Sequence, residues 1–102
     1  MPFSEREKMD IKRELVASLR QYPEISKIVV FGSFLVSDEP RDLDVAIFQT
    51  SNQSYLPLAL KYRSKTRQIA RRIAIDILPI KADAQDNLML ENISQGEVLY
   101  ER

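Results

Sequence analysis

The chain has 102 residues, with 15 Lys and Arg against 15 Asp and Glu, so its formal net charge is zero; 44% of the residues are hydrophobic. A chain of this length is expected to form one compact domain, here residues 1–102, and to bury a core without disulfides or structural zinc. It contains no Cys and no His. This excludes the usual zinc sites, thiol chemistry and imidazole catalysis, so any chemistry must use carboxylates, hydroxyls, Lys or Arg.

The N-terminal segment MPFSEREKMD is charged and lacks the apolar core of a signal peptide. No apolar run reaches the roughly 18 residues that a membrane span needs. We therefore expect a soluble, cytoplasmic protein that does not act at a membrane. The charge is unevenly distributed, because most of the basic excess of the second half lies between Lys61 and Arg72. That run is read as a solvated helix face, with an acidic protein partner or an RNA as alternatives.

Hydrophobic periodicity and turn residues predict alternating helices and strands. A capping box of Ser4 and Glu7 starts the first helix, and Gly96 ends the last one. In chain order the predicted elements are a helix over 4–21, a strand over 25–31, a loop or helical turn over 33–39, a strand entered at 42 and running to 48, a helix over 54–73, a strand over 73–80, a helix over 83–95 and a short strand over 97–100. This order predicts a small α/β sandwich.

Gly32 and Ser33 directly follow the first apolar strand. Glycine permits a close backbone approach, and the amides and hydroxyl that follow it can bind a phosphate. A plain strand-ending turn is the alternative interpretation of this pair.

Asp42 and Asp44 stand at the start of the second strand. The period of two places both carboxylates on one face, with Leu43 on the other. A divalent cation would relieve the repulsion between them, and oxygen ligands suit Mg²⁺. The alternative is a solvated turn before the strand.

Asp76 lies within the apolar segment IAIDILPI. A carboxylate buried there must be protonated, paired with a base or bound to a cation, because an unpaired buried charge is costly. Arg71 or Arg72 could pair with it in a structural salt bridge. If the third strand instead lies beside the second, Asp76 joins Asp42 and Asp44 opposite the Gly32 turn.

Together these residues resemble the minimal nucleotidyltransferase (MNT) domains of the DNA polymerase β superfamily. The resemblance rests on VVFGS at residues 29–33, DLDVAIF at 42–48 and IDI at 75–77. It implies a mixed β-sheet with helices packed against it, an α+β nucleotidyltransferase-like fold. Many members carry a basic residue and a second glycine shortly after Gly-Ser, whereas this chain has FLVS at 34–37.

The resemblance also implies roles for the residues. Gly32 and Ser33 would hold the nucleotide phosphates. Asp42, Asp44 and Asp76 would bind Mg²⁺, with two ions expected, and Asp76 would assist deprotonation of the acceptor. The implied reaction transfers a nucleoside monophosphate, with ATP as the expected substrate, to a hydroxyl group.

Small members of this family often act beside an all-helical HEPN protein, in toxin–antitoxin pairs where the MNT protein adenylylates its partner on a tyrosine. The resemblance therefore implies an antitoxin with a HEPN partner. The runner-up is a non-catalytic module that regulates a partner by nucleotide binding or contact. A small RNA-associated protein is a third interpretation, and a homo-oligomer also stays open.

Overall fold

The computed structural model describes residues 2–85 and 89–102. Its elements in chain order are α1 (Glu5–Leu19), β1 (Ile25–Phe31), α2 (Ser33–Val36), β2 (Asp42–Gln49), α3 (Tyr55–Lys65), α4 (Arg67–Ala70), β3 (Ala74–Lys81), α5 (Leu90–Ser94) and β4 (Glu97–Glu101). The strands form one sheet in the order β3-β2-β1-β4. β1 pairs antiparallel with β2 and β4, and β2 pairs parallel with β3. The predicted mixed sheet with packed helices is confirmed.

The capping box predicted at the start of α1 is present. The Ser4 hydroxyl accepts a hydrogen bond from the Glu7 amide at 3.0 Å, and the Ser4 amide donates to Glu7 Oε1 at 2.9 Å. Ile11, Leu15 and Leu19 then point from one face of the helix into the core. The helix ends two residues before its predicted end, a usual uncertainty for helix termini.

The sheet separates two apolar clusters, because successive strand residues point to opposite faces. Leu43, Val45 and Ile47 of β2 pack with α1, α3 and α4 in the larger cluster. Ala46 and Phe48 pack on the other face in a smaller cluster that includes Ile93 of α5. Asp42 and Asp44 share the strand parity of Ala46, so they belong to the face of the smaller cluster.

The helix predicted over residues 54–73 is interrupted at Thr66. Thr66 is buried, and its hydroxyl donates to the Tyr62 carbonyl oxygen at 3.1 Å while its backbone leaves the helical region. Side-chain bonds of this kind compete with helical backbone bonds. The predicted buried face is nevertheless correct, since Leu58, Tyr62 and Ile69 all lie in the core.

The helix predicted over residues 83–95 was too long. Residues 82–83 form a turn, and residues 84–85 have no regular structure. The Ala82 amide donates to the Gln49 carbonyl oxygen, and the Ala84 amide donates to the Lys81 carbonyl oxygen. Residues 86–88 lie outside the described residues, and α5 spans only the end of the prediction. The turn after β3 forms because these amides bond back to the ends of β2 and β3. None of the helices in the described part of the chain is both long and apolar enough to cross a membrane.

The basic run between residues 61 and 72 does not form one continuous surface. Lys61 pairs with Glu24 at 2.7 Å, and Arg72 pairs with Glu14 on α1. The other basic side chains of the run are exposed: Arg63, Lys65, Arg67 and Arg71. The two ion pairs therefore attach the ends of this run to the rest of the fold.

Glu24 is expected to contribute a pH-dependent part of the stability. Partial burial opposes its charged form, but hydrogen bonds from Lys61 and Tyr62 outweigh burial and lower the pKa below 4.5. The folded protein thus releases the Glu24 proton more readily than the unfolded chain. This contribution is present above the unfolded pKa and is lost as the pH falls through the lower folded pKa.

Replacing Glu24 with Gln should therefore flatten the acid limb of the stability curve. The measurement is urea unfolding of both proteins between neutral pH and about pH 3, below the usual carboxylate range. Glu101→Gln, at an exposed position of β4, is the matched control. An unchanged acid limb in Glu24→Gln would show that other carboxylates carry this dependence.

Candidate active site

The pairing registers of the sheet bring the predicted site residues together. In the parallel pair, Asp44 of β2 lies opposite Asp76 of β3. In the antiparallel pair, Asp44 lies opposite Phe31, the last residue of β1. Gly32 follows Phe31 directly. The carboxylates of two neighbouring strands therefore meet the Gly32 turn at one end of the sheet.

The predicted division of the two strand faces is confirmed for β2. Leu43 is fully buried in the larger cluster, whereas Asp42 is exposed and Asp44 is partly buried on the opposite face. Because Asp76 is the register partner of Asp44, its side chain lies on the same face. All three carboxylates therefore share one face of the sheet.

The expectation that Asp76 is buried among apolar neighbours is wrong. Asp76 is exposed, because β3 is an edge strand and this residue lies close to its beginning. Within residues 2–85 and 89–102 it forms no ion pair, and Arg72, one of its two expected partners, pairs with Glu14 instead. Asp76 is thus available to a ligand rather than used in a structural salt bridge.

The neighbouring carboxylates affect the ionisation of Asp44. Burial, followed by the charges of Asp76 and Asp42, raises the pKa of Asp44 above its ordinary value of 3.8. Asp76 and Asp42 therefore each repel the ionised form of Asp44. A bound cation would relieve that repulsion.

Gly32 is held against Asp44. Its φ is +80°, a backbone conformation that residues other than glycine rarely adopt. A Cβ added at this position would lie 2.4 Å from Asp44 Oδ2. The sequence indicated a close approach to the backbone at this glycine, and the structure shows that the approaching group belongs to the protein itself. Ser33, the first residue of α2, is exposed beside it.

A buried lysine of α1 contacts the segment that follows Gly32. Lys8 of α1 is only 6% exposed, and its Nζ donates to the Ser37 carbonyl oxygen at 2.5 Å. The same ammonium lies 5.4 Å from the centre of the Phe34 ring. Lys8 therefore fixes the end of α2. Sequence reasoning missed it, although its spacing from Ile11 and Leu15 places it on the apolar face of α1.

The donor set fits Mg²⁺ by its chemistry. Asp42, Asp44 and Asp76 offer only oxygen ligands, and Mg²⁺ is commonly held by one or two carboxylates, with waters and substrate phosphates completing its shell. Among the described residues, no group of three or more acidic side chains has the geometry of a metal site. Burial and the charges of Asp76 and Asp42 raise the pKa of Asp44, and a bound cation would favour its ionised form.

The chain belongs to the polymerase beta nucleotidyltransferase family. Residues 13–102 match the family described as polymerase beta, nucleotidyltransferase. No curated protein matches the chain in sequence. The resemblance drawn from the Gly-Ser and Asp motifs is confirmed.

Several solved structures share the fold. The chain is similar to a structure of the toxin–antitoxin pair MntA–HepT, with a TM-score of 0.65 and 18% identity over 92% of this chain and 73% of the matched chain. It is also similar to a structure described as a tri-AMPylated Shewanella oneidensis HEPN toxin in complex with MNT antitoxin. Here the TM-score is 0.62, and the identity is 21% over 93% of this chain and 73% of the matched chain. A third similar structure is a toxin–antitoxin with AMP-PNP, with a TM-score of 0.62 and 23% identity over 89% of this chain and 73% of the matched chain. These similarities show the nucleotidyltransferase fold.

Proposed function

We propose that this protein is a Mg²⁺-dependent nucleotidyltransferase that transfers AMP from ATP to a hydroxyl acceptor. The observation that carries the proposal is the placement of Asp42, Asp44 and Asp76 on one sheet face, beside the Gly32 turn. Membership of the polymerase beta nucleotidyltransferase family supports the reaction class. We place the reaction in the cytoplasm.

Each proposed site residue has a separate role in the reaction. Gly32 and Ser33 would bind the phosphates through backbone amides and the Ser33 hydroxyl. Asp42, Asp44 and Asp76 would hold Mg²⁺, which when bound neutralises charge on the reacting phosphate. Asp76 would accept the proton of the acceptor hydroxyl. The acceptor oxygen forms a bond to the α-phosphorus, the bond from that phosphorus to the bridging oxygen breaks, and pyrophosphate leaves.

We further propose that the acceptor is a tyrosine of a HEPN-type protein and that the chain acts as its antitoxin. Among the structurally similar proteins, one is described as a tri-AMPylated HEPN toxin in complex with MNT antitoxin. Another is described as the toxin–antitoxin MntA–HepT, and a third as a toxin–antitoxin with AMP-PNP. Because Asp76 is exposed on an edge strand, an acceptor as large as a protein would be able to reach this carboxylate.

The proposal predicts Mg²⁺-dependent labelling of the HEPN partner. Purified protein is incubated with ATP radiolabelled at the α-phosphate, with and without the HEPN protein encoded beside it, and the products are separated by denaturing electrophoresis. Wild type should label the partner, whereas Asp42→Asn and Asp76→Asn should reduce labelling at least about 100-fold. Asp38→Asn makes the same charge change at an exposed loop position and should label normally. Labelling that survives in Asp42→Asn would refute the assignment.

The turn after Gly32 favours one second candidate. Phe34, Leu35 and Val36 supply no cation for a triphosphate, which supports a module that binds its partner without catalysis. In that case the partner would form a stable complex with the chain but carry no label. A rise in melting temperature with ATP that requires Mg²⁺ would separate a nucleotide-binding module from contact alone.

A further inference from the structure

A cavity adjoins the proposed phosphate site on the side of β1. Its volume is about 390 Å³, and it reaches both Gly32 and Asp44. Phe31 and the α2 turn form one wall, and α5 with the residues around it forms the other. The remaining lining residues are Leu35, Val36, Met89, Asn92 and Gln95.

Apart from Gly32 and the Asp44 carboxylate, the lining consists of apolar side chains and two neutral amides. Val36 is 88% exposed and Met89 is 38% exposed, so apolar surface faces solvent on both walls. Within residues 2–85 and 89–102, no hydrogen bond is formed by the side-chain amides of Asn92 and Gln95. Each amide offers both a donor and an acceptor.

We propose that this cavity binds the nucleobase of the nucleoside triphosphate substrate, with Asn92 and Gln95 contacting the polar edge of the base. The inference rests on the proposed function, because it takes Gly32 and Asp44 as the binding place of the phosphates. A base is flat and uncharged, and it carries adjacent donors and acceptors on its edge. Apolar walls with carboxamides suit these properties.

The chemistry of the lining distinguishes the base from the phosphates. Asp44 is the only charged residue that lines the described part of the cavity, and no Lys or Arg does. A triphosphate tail would have no cation to contact there. The proposed function already places the tail at the backbone amides of Gly32 and Ser33, so the uncharged end of the nucleotide is assigned to the part of the cavity lined by Leu35, Val36, Met89, Asn92 and Gln95.

The order of the strands distinguishes the base from the acceptor. Asp76 lies on β3, to one side of Asp44, whereas Gly32 and the cavity lie at β1, on the other side. An acceptor whose proton goes to Asp76 must approach over β3. The space over β1 is then left for the base and ribose of the nucleotide.

The test compares ATP with inorganic tripolyphosphate, which keeps the phosphates but lacks the base and ribose. Binding is measured by isothermal titration calorimetry with Mg²⁺ for wild type and for the double variant Asn92→Ala, Gln95→Ala. The double variant should bind ATP at least about tenfold more weakly, since two hydrogen bonds are lost. Its affinity for tripolyphosphate should be unchanged. Ser94→Ala, on α5 but outside this cavity, should bind both probes like wild type.

The outcomes separate this inference from the proposed function. Wild-type ATP affinity in the double variant, or an equal loss for both probes, would overturn the base site while leaving the nucleotidyltransferase in place. Normal ATP affinity with a raised KM for the HEPN acceptor would assign the cavity to the acceptor and also overturn the inference. If wild type binds neither probe in Mg²⁺, the proposed function and the base site both fail.

Discussion

Asp44→Asn is expected to abolish nucleotidyl transfer and at the same time to raise the melting temperature of the metal-free protein. Transfer should fall at least about 100-fold, because the variant loses a carboxylate proposed to bind Mg²⁺. Stability should increase, because the charge of Asp44 is partly buried and faces Asp76 and Asp42. Asparagine has a similar shape without that charge. Because Asp44 is only partly buried, solvent screens this repulsion, and we expect a gain of about 1–3 °C, less than a 1 kcal/mol change would give in a domain of this length.

The expected gain in stability of Asp44→Asn follows from the direction of the Asp44 pKa shift. The pKa of Asp44 is raised above 3.8 in the folded protein, so the folded protein holds this proton more tightly than the unfolded chain does. The stabilising contribution is complete below the unfolded pKa and is lost as the pH rises through the folded pKa. At neutral pH the ionised Asp44 therefore lowers the stability of the folded protein, and Asn removes that effect.

Thermal unfolding in EDTA and in Mg²⁺ measures both effects. Wild type should gain stability from Mg²⁺ by mass action, and Asp44→Asn should gain much less. Asp38→Asn removes the same charge in the adjacent loop and should leave both the Mg²⁺ effect and transfer unchanged. A lower melting temperature for Asp44→Asn in EDTA would contradict the repulsion among the three carboxylates.

Gly32→Ala is expected to cost both stability and activity. The backbone at this position has a φ of +80°, and the new Cβ would lie 2.4 Å from Asp44 Oδ2. With ψ at −154°, the backbone lies in a region that almost only glycine occupies, which strains alanine, and displacement of Asp44 adds to that cost. We expect a loss of about 1–3 kcal/mol in the free energy of unfolding. Transfer should fall at least about 100-fold, because the carboxylate must move away from the turn that we propose to bind the phosphates.

A double-mutant cycle isolates the contact between Gly32 and Asp44. In an Asp44→Ala background the oxygen that meets the new Cβ is absent, so Gly32→Ala should cost less in urea unfolding than it does in wild type. Val36→Ala, on the same turn and 88% exposed, should change stability little. Equal costs of Gly32→Ala in both backgrounds would show that backbone strain alone explains the loss.

Much of the fold was predictable because it depends on short stretches of sequence. The capping box of Ser4 and Glu7 and the buried helix face at Leu58, Tyr62 and Ile69 were all present as predicted. The Gly-Ser and Asp motifs, each only a few residues long, were enough to indicate the family. The helix predicted through Thr66 was wrong, because a buried hydroxyl bonded to a backbone carbonyl is a tertiary detail that periodicity does not reveal.

The sequence by itself determined the four strands and the first helix, the face shared by Asp42 and Asp44, and the residue types available for chemistry. Only the tertiary structure decided that Asp76 is exposed opposite Asp44, that Gly32 contacts Asp44, and that Lys8 is buried beneath the turn. Helix periods and caps are encoded within a few consecutive residues. Strand register and burial depend instead on contacts between residues far apart in the chain, which no local pattern specifies.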